Sequence, residues 1–227
     1  QSLDERLERL GVEAIDLYYV HRRDTRHEIE EVTETMAGFV KAGKVKAIGF
    51  SEIAPSSLRR AHAVHPIAAV QSEYSLSTRS PEMGLVQVCA EIGATLMAFS
   101  PVGRALLTDR PHHAEQIETM SFLKGNPRFM EPNLSANLAY NAEFRALAAD
   151  VGVPAASLAI AWVLHQGEQV MAIPGTRKLE HLKELVLGGE IDLSAEDVTR
   201  IETVLPIGWA HGDRYSVGQW AGPERYC

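Results

Sequence analysis

Apolar positions along the chain recur with two alternating periods. Leu3, Leu7 and Leu10 follow helical spacing behind a Ser2/Glu5 capping box, and Gly11 stands at the C′ position. A strand pattern over 14–21 comes next. Thr25 and Glu28 then form a second capping box for a helix whose Ile29, Val32, Met36 and Phe39 share one face, with Gly43 as its stop. A strand over 45–51, a short helix from Pro55 to about Val64 and a strand over 68–72 follow. Ser80 and Pro81 make an Ncap–N1 pair for a helix to about Ile92, before a strand over 94–99.

From 100 to 135 the period is lost, and Pro101, Pro111, Pro127 and Pro132 interrupt the chain. Loops of that length are usually functional or mobile. Helices are predicted over 136–150 and 154–166, then a strand over 170–173 ending at Pro174 and Gly175. Helices near 178–187 and 195–205 complete the pattern. The tail 206–227 is irregular and carries Trp209, Tyr215, Trp220 and Tyr226.

Short apolar strands separated by amphipathic helices imply parallel strands covered by helices, the α/β class. No Gly-x-Gly-x-x-Gly follows the first strand and no Gly-x-x-x-x-Gly-Lys-Ser/Thr occurs, which weakens a Rossmann or P-loop reading. Polar residues instead end the strands: His21, Ser51, Gln71 with Glu73, Ser100, and Thr176 just beyond the last. In a barrel of βα units, chemistry gathers on that rim; five units are visible where a closed barrel needs about eight.

Composition narrows the function classes. The 227 residues suit one domain or one and a half. Twenty-two basic against 30 acidic side chains give a formal net charge of −8, with no Lys/Arg block. That balance argues against a nucleic-acid or anionic-membrane partner. Two cysteines, Cys89 and Cys227, provide neither a disulfide scaffold nor a zinc cluster. Adjacent His112 and His113 diverge in a loop without supporting carboxylates, so no metal site is expected. No stretch approaches the roughly 18 apolar residues of a membrane helix, and the N-terminus lacks a secretory apolar core. A cytoplasmic protein is the expectation.

Five stretches, in order, then carry a resemblance. They are Ile15-Asp16-Leu17-Tyr18-Tyr19-Val20-His21-Arg22, the run Gly43 to Glu52 (GKVKAIGFSE), Val70-Gln71-Ser72-Glu73-Tyr74-Ser75-Leu76, Ala98-Phe99-Ser100-Pro101-Val102-Gly103-Arg104, and Ile173-Pro174-Gly175-Thr176-Arg177-Lys178. Together, at barrel-like spacing, they make the chain resemble the aldo-keto reductase family over essentially its whole length. The resemblance implies a (β/α)8 TIM barrel, of which this chain supplies about the last five βα units plus C-terminal helices and tail. Residues 1–227 would then form one partial barrel domain, with 100–135 as its long cofactor-side loop. It further implies an oxidoreductase moving hydride between NADP(H) and an aldehyde or ketone, with a small-molecule carbonyl substrate and no metal. The chain opens without Met inside a helix pattern, just before the family's fourth strand. The family's catalytic Asp, Tyr and Lys therefore fall upstream, and only its His is present, as His21.

By the same resemblance, His21 polarises the substrate carbonyl, where charge develops during hydride delivery; without it, His21 reads as a core histidine bonded to backbone. Ser51, Glu52 and Gln71 would fix the nicotinamide carboxamide. Many relatives carry Asn at the Glu52 position, and an ionised Glu accepts but cannot donate. Phe99, where many relatives have Tyr, would stack on the nicotinamide by its π face. Ser100, Val102, Gly103 and Arg104 begin the loop that meets the pyrophosphate. Gly175, Thr176, Arg177 and Lys178 precede a helix N-terminus, an anion site suited to the 2′-phosphate. His181 and Glu184 lie one and two turns on, toward the adenosine; Leu185 replaces an Asn common in relatives.

Two other readings stand beside this one. One is a nucleotide-binding regulatory or interaction protein of the same fold without turnover. The other is a phosphate-binding barrel enzyme of another class, with its anion site at 175–178. The aromatic tail either lines a substrate mouth or packs against the barrel.

Overall fold

A computed structural model describes residues 2–225; Gln1, Tyr226 and Cys227 lie outside the described residues. The described chain divides into two compact units, one formed by residues 2–72, 84–97 and 222–225, the other by 73–83 and 98–221.

The first unit begins with α1 (Leu3–Leu10), closed at its start by reciprocal Ser2 and Glu5 hydrogen bonds of 3.3 and 3.1 Å. Its strands are β1 (Ile15–Val20), β2 (Val45–Ser51), most of β3 (Ala69–Glu73) and the start of β4 (Thr95–Phe99), in the order β1-β2-β3-β4. Pairing is parallel, with Tyr19 opposite Gly49 and Ser51 opposite Gln71. β2 is buried along most of its length, as an inner parallel strand should be, whereas no residue of β1 is fully buried. Helices α2 (Ile29–Lys41), α3 (Pro55–Val64) and α4 (Leu85–Ile92) alternate with the strands. α2 buries Ile29, Thr33 and Met36, one stripe at helical spacing.

Two predicted helix starts are displaced. The Thr25/Glu28 capping box does not form, and α2 opens at Ile29 with Glu28 as an N-cap that makes no side-chain cap bond. The reason is competition: His27 N–H donates to the Asp24 carbonyl at 3.1 Å, closing a turn, and the Glu28 carboxylate instead accepts Arg60 at 2.6 Å. The helix predicted from Ser80 to Ile92 is broken. Ser80–Met83 makes a 3₁₀ turn in the second unit, and Gly84, at φ 125°, ends it before α4.

The second unit holds the C-terminal ends of β3 and β4 together with β5 (Val170–Ile173), in the order β3-β4-β5. Its helices are α5 (Ala114–Glu118), α6 (Asn133–Val151), α7 (Ala155–His165), α8 (Leu179–Leu187) and α9 (Ala195–Val204). Every residue of α7 from Ala155 to Val163 is buried, matching a sequence apolar on all sides. Trp162 at its centre is fully buried, with Tyr74 edge-on at 5.7 Å and the Arg79 guanidinium 4.9 Å over its ring. Ser157 Oγ donates to the Glu184 carbonyl at 2.6 Å, which ties α8 to α7.

The segment 100–135 is more ordered than its sequence predicts. It contains α5 and a 3₁₀ turn over Pro127–Phe129, and α6 begins three residues before the expected 136. Buried asparagines supply the missing order. Asn137 Nδ2 donates to the Arg128 carbonyl (2.9 Å), Asn141 Nδ2 to the Leu106 carbonyl (2.6 Å) and Asn126 Nδ2 to the Arg214 carbonyl (2.6 Å). Loop carbonyls that reach no strand or helix partner are satisfied in this way. The tail is packed within the same unit: Trp209 Nε1 donates to the Leu76 carbonyl at 2.8 Å, and Tyr215 is buried. Among the described residues no single helix is long and apolar enough to cross a membrane.

Candidate functional site

Two groups of chemistry-bearing residues emerge, one in each unit. In the first unit they stand at strand ends. Tyr18 packs edge-on against Phe39 of α2, so positions 17, 19 and 21 take the opposite face of β1. His21 is exposed, one residue beyond Val20, whose ladder partner Phe50 directly precedes Ser51. Since Ser51 pairs with Gln71, the His21, Ser51 and Gln71 positions share one level of the sheet. Tyr19, on the His21 face, has a buried hydroxyl without a hydrogen bond among the described residues, and burial raises its pKa.

The hydroxyl of Ser51 accepts a bond from Arg22 Nη1 at 2.8 Å, which leaves its own proton free to donate. Gln71 is half-buried, and among the described residues its amide group has no hydrogen-bond partner. Glu52 is different. It is buried, sits at φ 56°, and its Oε1 accepts the Ser72 hydroxyl at 3.1 Å. Asn tolerates that left-handed backbone better than Glu does, so Glu52 holds it at a cost that its buried bond to Ser72 helps offset. A C-terminal segment crosses this unit: Glu224 N–H donates to the Glu52 carbonyl at 2.8 Å, and the Glu224 carboxylate accepts Arg23 Nε at 2.7 Å and the Ala54 amide at 2.9 Å.

The second unit contains a cavity of about 580 Å³, a size that suits a small-molecule or cofactor site. Phe99, Ser100, Val102, Arg104, Gly175, Thr176, His181 and Glu184 all line it. Gly103, Arg177 and Lys178 do not. Arg177 is exposed and has no partner among the described residues, whereas Lys178 Nζ lies 3.9 Å from Glu180. Thr176 Oγ1 accepts the Lys178 amide at 3.3 Å. No side chain caps α8, so its first-turn N–H groups keep the positive end of the helix open.

The turn 100–105 forms another wall. Ser100, Gly103, Arg104 and Ala105 have φ of 51°, 59°, 56° and 70°. Left-handed non-glycine residues cluster where a surrounding structure holds them for a purpose. Among the described residues the amides of Val102, Arg104 and Ala105 donate to no protein acceptor, and consecutive N–H groups in such turns make anion-binding concavities. The Arg104 guanidinium, expected to meet a pyrophosphate, is instead engaged. It donates to Glu73 Oε2 at 2.5 Å and to the Arg214 carbonyl at 3.1 Å, with the Phe122 and Tyr215 rings 5.2 and 5.3 Å away.

Several cavity residues have no local signature. Thr108, Asp109, Arg110, His112, Phe122 and Ala156 line the wall, and most lie in the aperiodic 100–135 segment. Arg110 Nη1 reaches His181 Nε2 at 3.0 Å and Glu180 at 3.4 Å. His112 has its pKa lowered by burial and by neighbouring His113. Trp209, Tyr215 and Trp220 are not among the lining residues, and Tyr226 lies outside the described residues.

The Aldo/keto reductase family model matches residues 1–206. The chain belongs to the aldo/keto reductase family. Its relatives include Probable aldo-keto reductase 1 of Glycine max, 44% identical over 212 residues, a match covering 93% of this chain and 61% of that protein. Aldo-keto reductase str7 of Strobilurus tenacellus is 39% identical over 211 residues, covering 92% and 63%. Among solved structures, a thermostable aldo-keto reductase in complex with the inhibitor epalrestat aligns with a TM-score of 0.70 at 27% identity, covering 89% of this chain and 64% of the other. The glycerol dehydrogenase of Gluconobacter oxydans aligns with a TM-score of 0.77 at 27% identity, covering 89% and 62%. The chain thus spans about three-fifths of the length of these curated relatives.

Proposed function

We propose that this aldo/keto reductase chain belongs to an NADPH-dependent enzyme that reduces an aldehyde or ketone in the cytoplasm. The observation that carries the reading is the second unit's cavity: an apolar wall at Phe99, a left-handed turn with unpaired amides at 102, 104 and 105, and the uncapped start of α8. An aromatic face, a cradle of N–H groups and a positive helix end are complementary to a base, a pyrophosphate and a terminal phosphate.

The fit can be followed residue by residue. Phe99 offers its ring face for stacking, and the turn amides rather than the Arg104 side chain are available to the pyrophosphate. Arg177, without a partner among the described residues, supplies the charge for a 2′-phosphate. In the first unit, Ser51 keeps a hydroxyl proton to donate and the Gln71 amide has no partner among the described residues, the complement a carboxamide requires. NADPH supplies hydride when bound. His21 holds the substrate carbonyl by donating a hydrogen bond to its oxygen, where negative charge develops.

We further propose that the five βα units belong to an eight-unit barrel. The half-buried β1 supports this, as does an open groove of about 570 Å³ in the first unit lined by Tyr18, Val20, Val32, Met36 and Phe39. In a closed barrel that face is covered by the preceding unit.

The test is a fluorescence titration of the intact protein with NADPH, NADH and inorganic phosphate. Tight NADPH binding with weaker NADH binding is expected. Phosphate binding without either nucleotide would replace this reading with that of a phosphate-binding barrel of another class. Nucleotide binding with no turnover on any carbonyl would favour a regulatory protein.

A further inference from the structure

Glu73 is the last residue of β3, and its side chain is completely buried. A lone carboxylate in that setting is costly unless paired and hydrogen-bonded. Here Oε1 accepts the Thr78 hydroxyl at 3.1 Å, and Oε2 accepts Arg104 Nη2 at 2.5 Å with Arg214 Nη1 at 3.4 Å. Arg104 belongs to the left-handed turn of the cavity, and three of the four residues with positive φ in that turn are not glycine. Its internal backbone bonds are few: Gly103 N–H to the Ser100 carbonyl (2.8 Å), Leu106 N–H to Gly103 (3.1 Å) and Leu107 N–H to Val102 (3.1 Å). These do not oblige four residues to remain left-handed. The Thr108 hydroxyl adds a bond to the Ala105 carbonyl (2.8 Å), and the long-range tie from Arg104 to Glu73, flanked by the Phe122 and Tyr215 rings, adds a constraint from outside the turn.

We propose that Glu73 is a positioning residue for nucleotide binding: through Arg104 it holds the 100–105 turn so that the amides of Val102, Arg104 and Ala105 face a pyrophosphate. This rests on the NADPH reading above. Glu73 itself does not line the cavity. Among cavity-lining residues it bonds Arg104, whereas the α8 end of the same cavity is held separately, by Ser157 on the Glu184 carbonyl.

That separation makes the proposal testable. NADPH spans turn and helix, while adenosine 2′-monophosphate lacks both phosphates of the bridging pyrophosphate as well as the nicotinamide and probes the α8 end alone. Dissociation constants for both are measured on the intact wild-type protein and on Glu73→Gln, which keeps shape but drops the charge. The expected result is a loss of about tenfold or more in NADPH affinity with the 2′-monophosphate nearly unchanged. Should Glu73→Gln fail to fold, the double variant Glu73→Gln/Arg104→Gln, which removes the charges of both Glu73 and Arg104, is measured under the same criterion. Unchanged NADPH binding, or equal loss of both ligands, overturns the positioning role. A wild-type protein that binds neither ligand overturns the NADPH reading itself and the positioning role with it.

Discussion

Gly188 and Ile160 approach so closely that a Cβ added to Gly188 would lie 2.6 Å from the Ile160 Cβ. The same added carbon would lie 2.7 Å from the Ser157 carbonyl. The chain leaving α8 therefore rests directly on the backbone of α7, and the cavity residues His181 and Glu184 inherit their place from that contact. Gly188→Ala should cost roughly 1–3 kcal/mol, because neither neighbour is a flexible side-chain tip. Urea unfolding reads the loss, and weaker binding of adenosine 2′,5′-bisphosphate should accompany it.

Trp162 fills the core of the second unit but wastes its polar handle. Its Nε1 is buried with no hydrogen-bond partner among the described residues. Trp162→Phe therefore removes an unsatisfied donor along with some volume, and should cost much less than the ~3–5 kcal/mol expected for Trp162→Ala. Denaturation midpoints of the two variants check this; equal losses would mean that the indole nitrogen is satisfied in solution.

Arg128 is buried, with one side-chain bond, Nη1 to Thr78 Oγ1 at 2.9 Å, and an unpartnered Nε. Burial pulls its pKa down to about 10, with Glu73 opposing. Below that pH the residue is charged in both folded and unfolded chains, so its full desolvation cost weighs on folding. Above it the folded protein releases a proton that the unfolded chain still binds, and the cost is relieved. Arg128→Met should thus be neutral or stabilising at neutral pH. Its advantage over wild type should shrink as pH rises above about 10. Stability differences measured on either side of that pH decide the matter.

Arg177 and Lys178 adjoin the same helix start yet differ in their partners, since only Lys178 has a carboxylate nearby, Glu180 at 3.9 Å. A charge-assisted bond contributes roughly 1.5–3 kcal/mol, so Arg177→Ala should weaken NADPH by about tenfold or more while sparing NADH. Lys178→Ala should have the smaller effect. Equal loss for both nucleotides in the Arg177 variant would remove the 2′-phosphate assignment.

The candidate site was partly legible before any fold was known. The positions of His21, Ser51 and Gln71 at strand ends follow from short apolar runs that stop at polar residues, and the structure places them at one level of the sheet. Phe99, Ser100, Thr176 and Glu184 likewise line one cavity. Arg104 shows the limit: its position was readable, but the capture of its guanidinium was not, because Glu73 lies 31 residues away. Glu52, similarly, turns its carboxylate to Ser72, 20 residues on.

Sequence alone determined the strands and most of the helices in their order, though not α5 or the break before α4, because helical and strand periods, capping residues and glycine stops act within a few positions of one another. It even set the boundaries of β2, α3 and β5. Tertiary structure decided what local pattern cannot encode: Arg60 drawing Glu28 away from a capping box, buried asparagines of α6 ordering an aperiodic loop, and a carboxylate of β3 holding a left-handed turn. Each depends on groups distant in the chain that are brought together only when the core forms, where pairing a polar group offsets the cost of burying it.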